Sequence, residues 1–168
     1  IDMASHWAIF QKKIIIDKKI NFLKTHNTLC TINGHDFANS SNSLGAIYII
    51  RDPRDIVISL SHFAGGSLER TINEMLYSKK LMTRTNGAKE LVSTWDLHTR
   101  SWLEYKNVSR LIIKYEDLIN NQEKESKSLI KACGIKWENE CLNFHKNKKS
   151  IKTITKLEIS KGIHTKRF

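Results

Sequence analysis

Proline, cysteine and long apolar runs are all scarce in this 168-residue chain. One proline and seven glycines exclude a collagen-like or proline-rich disordered protein. The three cysteines, Cys30, Cys133 and Cys141, form no Cys-x-x-Cys pair, which argues against a disulfide framework and against a zinc site. A reducing compartment fits this cysteine usage best, so we expect a cytoplasmic location.

No apolar run approaches the roughly 20 residues that a helix needs to span a bilayer. No signal peptide is recognisable, although the start at Ile1-Asp2-Met3 leaves open a targeting segment upstream. A hydrophobic content of 40% is enough for a core, and the length suits one domain.

Acidic residues are the minority charge, with 17 Asp and Glu against 28 Lys and Arg and a net charge of +11. This excess favours anionic partners such as a phosphorylated cofactor, nucleic acid or an acidic surface. A basic, well-solvated surface explains the charge equally well.

Because of this positive charge, a non-enzymatic polyanion-binding or nucleic-acid-binding module is one alternative function. The basic residues are dispersed and no aromatic-rich motif accompanies them, so we expect no specific nucleic-acid partner. No His, Cys or carboxylate cluster predicts a metal.

The continuous apolar run 45–50 is typical of a strand buried on both faces of a parallel sheet, and residues 111–115 predict a second buried strand. Between them, Asp52 is a candidate N-cap, Pro53 suits the first helical position, and Gly65 would end that helix. The order strand, helix, helix, strand, helix indicates an α/β domain. The other predicted elements are extended pieces at 13–16 and 20–24, and helices at 4–12, 68–82, 88–105, 122–133, 138–146 and 150–162.

Chemically interesting side chains follow these strands, where α/β sheets bind their ligands. Arg51 ends the first long strand, a helix with unsatisfied backbone N–H groups begins beside it, and Ser59 lies two turns into that helix. An arginine fork with a hydroxyl suits a terminal phosphate. The alternative is a capped helix with a surface arginine and a solvated serine. His26, two residues after Lys24, is a candidate general base, with an ordinary surface loop as its alternative.

The segment from Tyr48 to Phe63 resembles the 3′-phosphate-binding signature of sulfotransferases, which use 3′-phosphoadenosine-5′-phosphosulfate (PAPS). The match is an apolar strand, Arg, Asp, Pro, a basic residue, Asp, an apolar stretch, Ser and then His-Phe. Phe22-Leu-Lys-Thr-His26 resembles the Lys-Thr-His of the same family. The resemblance implies an α/β, P-loop-NTPase-like sulfotransferase fold with a parallel sheet flanked by helices. It also implies that Arg51 and Ser59 hold the 3′-phosphate, that His26 is the catalytic base and that Lys24 is the sulfonate-side cation.

Weaker similarities extend along the chain. Tyr115-Glu-Asp-Leu118 resembles a family segment whose tyrosine lies near the adenine, which makes Tyr115 a cofactor contact. Trp95, His98 and Trp102 match a Trp-x-x-His-x-x-x-Trp helix, where we expect the tryptophans to pack and His98 to line the substrate cleft. Lys149 and Ile151, at the start of a segment similar to the family's Ser-Phe stretch, are expected to contact the adenine.

Two family features are missing, so residues 1–168 are expected to form a single partial sulfotransferase domain with an incomplete fold. These are the N-terminal Pro-Lys-Ser-Gly-Thr-type loop, which cradles the 5′-phosphosulfate, and the C-terminal Arg-Lys-Gly clamp. We expect the chain alone to be nearly inactive and the intact gene product to convert PAPS to 3′,5′-ADP without a metal. The acceptor would be a hydroxyl or amine on a small molecule or carbohydrate; the oligomeric state stays open. The other alternative, a nucleotide-dependent phosphotransferase, lacks a Gly-x-x-x-x-Gly-Lys-Ser/Thr loop here.

Overall fold

Helices and short strands alternate along the chain in a computed structural model, which describes residues 3–15, 20–77, 81–83 and 89–138. The helices are α1 (Met3–Ile15), α2 (Pro53–Ala64), α3 (Leu68–Met75), α4 (Trp95–Glu104), α5 (Tyr115–Asn120) and α6 (Gln122–Ala132). The strands are β1 (Thr31–Ile32), β2 (His35–Asp36), β3 (Ala46–Ile50), β4 (Leu81–Thr83), β5 (Lys89–Leu91) and β6 (Arg110–Lys114). The predicted α/β class is confirmed.

A parallel pair, β3 and β6, positions the chemistry of the molecule. Its register runs from Ala46 beside Arg110 to Ile50 beside Lys114, so both strands end at the same edge. This confirms the two predicted strands and their parallel direction. Two short antiparallel pairs, β1 with β2 and β4 with β5, complete the described strands.

The connection from β3 into α2 forms as the sequence predicts. Asp52 caps the helix, because its side chain accepts the backbone N–H of Arg54 at 2.8 Å, and Pro53 begins it. Gly65 ends it in the left-handed conformation with φ of 64°, which a residue without a Cβ adopts at little cost. The helix start beside Arg51 is therefore fixed by local sequence.

The core lies on one side of the β3–β6 pair. Leu29, Trp102 and Val108 are buried there, and the Trp102 ring stacks on Tyr48 of β3 with centroids 5.8 Å apart. Ile47 and Ile49 are 41% and 49% exposed, so the prediction that the 45–50 run is buried on both faces is wrong for these two residues. In the described part of the chain this sheet has two strands, and the buried cluster lies against the face that carries Tyr48.

Four predicted elements differ from the structure. Helix α1 continues to Ile15, so residues 13–15 are not extended, and 20–24 form no strand. Helix α3 stops at Met75, and the segment predicted as one helix from 88 to 105 contains β5 followed by α4. Ser93, with φ of 63°, and the N-cap Thr94 separate the two. Propensity and periodicity alone did not reveal this break.

The predicted helix at 122–133 is confirmed as α6, and α5 precedes it. The helix predicted at 150–162, and Cys141, Lys149 and Ile151, lie outside the described residues, as does all but the first residue of the helix predicted at 138–146. In the described ranges, no helix is long and apolar enough to cross a membrane.

Candidate functional site

The first group of predicted site residues meets at the carboxyl edge of the β3–β6 pair. Arg51 follows β3 and Tyr115 follows β6, and the Arg51 guanidinium carbon lies 4.5 Å from the centroid of the Tyr115 ring. A cation over an aromatic face is attracted by the ring's electrons, so this contact holds the guanidinium in place. We call Arg51, Ser59, Tyr115 and Glu116 the anion cluster.

Arg51 keeps an unused donor inside the protein. Its Nε is buried and has no hydrogen-bond partner within the described part of the chain. A buried donor without an acceptor costs free energy, so such an atom often marks the place of a ligand. Arg51 and Ser59 line one cavity of about 260 Å³, together with Ile56, Leu60 and Phe63. The structure therefore brings together the two side chains predicted to bind phosphate.

The start of α2 offers fewer donors than the sequence suggests. The Asp52 N–H donates to Glu116 Oε1 at 3.1 Å, and the Arg54 N–H donates to Asp52 Oδ1. The expectation of unsatisfied N–H groups is thus wrong for these two. The Asp52 N–H is the main reason that the pKa of Glu116 is lowered, and Arg51 adds a smaller effect. Bonds from Arg54 lower the pKa of Asp52 to about 2. Arg51 and Ser59, rather than these two amides, are the donors available to an anion.

A second group surrounds His26, and we call Thr25, His26, Glu90 and His98 the histidine cluster. Nδ1 of His26 lies 3.3 Å from Oε2 of Glu90 in β5. The other carboxylate oxygen, Oε1, accepts the His26 backbone N–H at 3.0 Å and the Thr25 hydroxyl at 3.3 Å. Sequence reasoning missed Glu90, because no local pattern connects it with a histidine 64 residues earlier.

His98 joins the histidine cluster to β3. Its Nε2 lies 3.3 Å from the backbone oxygen of His26, and its Nδ1 lies 3.1 Å from the Tyr48 hydroxyl. A neutral ring that donates from Nε2 and accepts at Nδ1 satisfies both contacts. Burial lowers the pKa of His98, which favours this neutral form. The structure therefore gives His98 a bridging position that the sequence did not predict.

Buried hydrogen bonds hold the chain directly after His26. Asn27 is only 2% exposed, and its Oδ1 accepts the Leu91 N–H at 2.8 Å. Thr28 N–H donates to the Leu91 oxygen at 2.7 Å, and Trp102 Nε1 donates to the Asn27 oxygen at 3.1 Å. This confirms that Trp102 packs. The segment with His26 is fixed between β5 and α4, while the side chain of Lys24 is exposed.

Two comparisons with known proteins bear on the family of this chain. A family model described as "Sulfotransferase domain" matches residues 12–167. The protein "Amine sulfotransferase" of Oryctolagus cuniculus is 32% identical to this chain over 79 residues. That alignment covers 46% of this chain and 26% of the rabbit protein, so the matched segment spans about a quarter of the relative.

Proposed function

Since the chain belongs to the sulfotransferase family, we propose that it binds PAPS and transfers the sulfonate group to an amine or hydroxyl acceptor. The observation that carries this proposal is the buried Nε of Arg51, which has no protein acceptor in the described residues, in a side chain that lines one cavity together with Ser59. The family match favours sulfonate transfer over the phosphotransferase and polyanion-binding alternatives.

The anion cluster fits the phosphorylated end of the cofactor. A guanidinium group and a hydroxyl are suited to phosphate oxygens, and the Tyr115 ring already orients the guanidinium. Arg51 and Ser59 would hold the 3′-phosphate, with Tyr115 towards the adenine. We also propose Lys149 and Ile151 as adenine contacts.

PAPS supplies the sulfonate group to be transferred. The role that we propose for His26 is to take the proton from the acceptor's N–H or O–H, for which imidazole is suited near neutral pH. With Nδ1 placed against Glu90, we assign this role to Nε2. Lys24, on the same segment, would stabilise negative charge on the transferring and leaving oxygens.

For the acceptor, an amine is the first class to screen, because the rabbit relative is an amine sulfotransferase. Alcohols on small molecules and carbohydrates are the second class. Our expectations of a cytoplasmic location, of no metal requirement and of near inactivity for residues 1–168 alone remain predictions.

The test compares two arginines three positions apart in the sequence. Titration of 3′,5′-ADP into the intact gene product should show a loss of about 10- to 100-fold in affinity for Arg51→Ala, at roughly 1.5–3 kcal/mol per charged hydrogen bond. Arg54→Ala removes the same charge, but its guanidinium is bound to Asp52 at the surface, so affinity should change by only about twofold.

Equal losses in the two variants would point to a general charge effect and not to a phosphate site at Arg51. Tighter binding of ATP with Mg²⁺ than of 3′,5′-ADP would overturn the sulfotransferase proposal and restore the phosphotransferase alternative.

A further inference from the structure

The Glu90 carboxylate contacts three groups of Thr25 and His26, whereas a simple ion pair would involve only the imidazole ring. One carboxylate oxygen accepts two donors, the His26 N–H and the Thr25 hydroxyl, and the other faces Nδ1 of His26. The side chain of Glu90 is 12% exposed and that of His26 is 44% exposed. The carboxylate is thus held inside the protein while the ring reaches the surface.

We infer that Glu90 is a positioning residue that fixes the tautomer and the orientation of His26. A carboxylate can only accept hydrogen bonds, so the ring nitrogen facing it must carry the proton. Nδ1 is then the N–H, and Nε2 carries the lone pair that can take a proton from an acceptor. The catalytic consequence rests on the proposed function of His26, but the tautomer does not.

The backbone around this pair supports a fixed orientation. Two hydrogen bonds, Thr28 N–H to Leu91 O and Leu91 N–H to Asn27 Oδ1, join the residues after His26 to Leu91, the residue that follows Glu90 in β5. These bonds fix the backbone positions from which the Glu90 and His26 side chains meet. A surface ion pair between two mobile side chains would lack this constraint.

A second ionisable group at this place is His98 of α4, which contacts the backbone oxygen of His26. Burial is the main cause that lowers the pKa of His98, and this favours its neutral form. Lys24 and Lys89 flank the pair in sequence. Among these groups, Glu90 is the one that can favour a proton on Nδ1.

The first measurement is the histidine ¹⁵N spectrum of this chain at a pH where His26 is neutral. We expect the Nδ1–H tautomer of His26 to predominate in the wild type and to lose that preference in Glu90→Gln, because an amide can also donate. Glu90→Asp should retain most of it. Glu104→Gln on α4, whose carboxylate pairs with Arg100 at the surface, is the matched control and should change nothing at His26.

The second measurement is the split between kcat and KM for sulfonate transfer by the intact gene product. Glu90 touches no substrate in this proposal, so Glu90→Gln should lower kcat and leave the KM for PAPS within about twofold. The loss in kcat should be about 10- to 100-fold, less than for a fully buried carboxylate–histidine pair.

A wild-type spectrum dominated by Nε2–H would overturn the inference, even if Glu90→Gln does not fold. An unchanged tautomer in a folded Glu90→Gln would overturn it too. If the tautomer shifts as expected but the wild-type gene product transfers no sulfonate, the positioning by Glu90 stands and the proposed function fails.

Discussion

The anion cluster and the histidine cluster are built in different ways. In the anion cluster, Arg51 and Tyr115 meet because two parallel strands end side by side. In the histidine cluster, His26 lies in a segment without regular structure, and side chains of β5 and α4 hold it. Backbone pairing creates the first arrangement, and side-chain hydrogen bonds create the second. A single side chain should therefore matter more for stability in the histidine cluster.

The clusters also differ in what they leave unsatisfied. The anion cluster has a buried arginine donor without a partner in the described residues, next to a cavity. Next to the histidine cluster, the polar atoms of the buried Asn27 side chain and the Asn27 carbonyl oxygen all take part in internal hydrogen bonds. The anion cluster is thus suited to receive a ligand, and the histidine cluster to hold one reactive side chain in place.

The largest effect that separates the clusters is expected for His26→Ala. Removing a general base should lower sulfonate transfer by about 10²- to 10⁴-fold, while the affinity for 3′,5′-ADP should change by no more than about twofold. Transfer assays and calorimetry on the intact gene product measure the two quantities. His62→Ala, at the exposed end of α2, is the control. If His26→Ala also abolished nucleotide binding, the clusters would not be functionally separate.

A smaller effect is expected on stability for Asn27→Ala. The variant leaves the Leu91 N–H without its acceptor in a buried place, which should cost about 1–3 kcal/mol in the free energy of unfolding. Ser59→Ala removes an exposed hydroxyl from the anion cluster and should stay within about 0.5 kcal/mol. Urea unfolding of both variants gives the values. Equal losses would remove the contrast between side-chain and backbone construction.

The smallest expected effect is on how the stability of the protein changes with pH, which should differ between His98 and Asp52. Burial lowers the pKa of His98 from its ordinary value of 6.5, so the unfolded chain takes up a proton before the folded one does. The contribution of this residue to stability therefore decreases as the pH falls below about 6.5. The decrease ends once the pH is below the lowered pKa of the folded state. The pKa of Asp52, lowered to about 2 from 3.8, acts in the same direction, but only as the pH falls through the range between those values.

Melting temperatures at closely spaced pH values test whether His98 takes up its proton at a higher pH than Asp52. The decline between pH 7 and pH 5 should be shallower in His98→Gln than in the wild type, while Asp52→Asn should alter the curve only below about pH 4. A decline that is unchanged in His98→Gln would show that another group protonates first.

The sequence predicted the anion cluster well because its signals are local. A strand-length apolar run, Arg51, the cap Asp52 and Pro53 follow one another, and the structure forms each as expected. The parallel direction followed from the order of the elements. The two occupied N–H groups at the start of α2 were missed, since they depend partly on Glu116 in the neighbouring chain segment.

The histidine cluster could be predicted only in part. The family resemblance predicted His26 as a site residue. It did not predict Glu90, which lies in a segment that was predicted to be one helix. Ser93 separates β5 from α4 with a positive φ. Serine seldom adopts this conformation, so the residue type does not predict it there. At the N-terminal end, the β-branched residues Ile14 and Ile15 favoured a strand, yet the preceding helix continues to Ile15. In both places, tertiary context outweighs local preference.

The parallel pairing of β3 with β6 has a consequence for the time course of folding. Asp52 and Glu116, whose contact closes this edge, are 64 residues apart, so the intervening chain must be gathered before the strands can meet. Closing so long a loop is entropically costly and slows folding, whereas α2 can form early from its own caps. We therefore expect Arg51 to reach Tyr115 late in folding. The time at which affinity for the nucleotide appears during refolding would show when this loop closes.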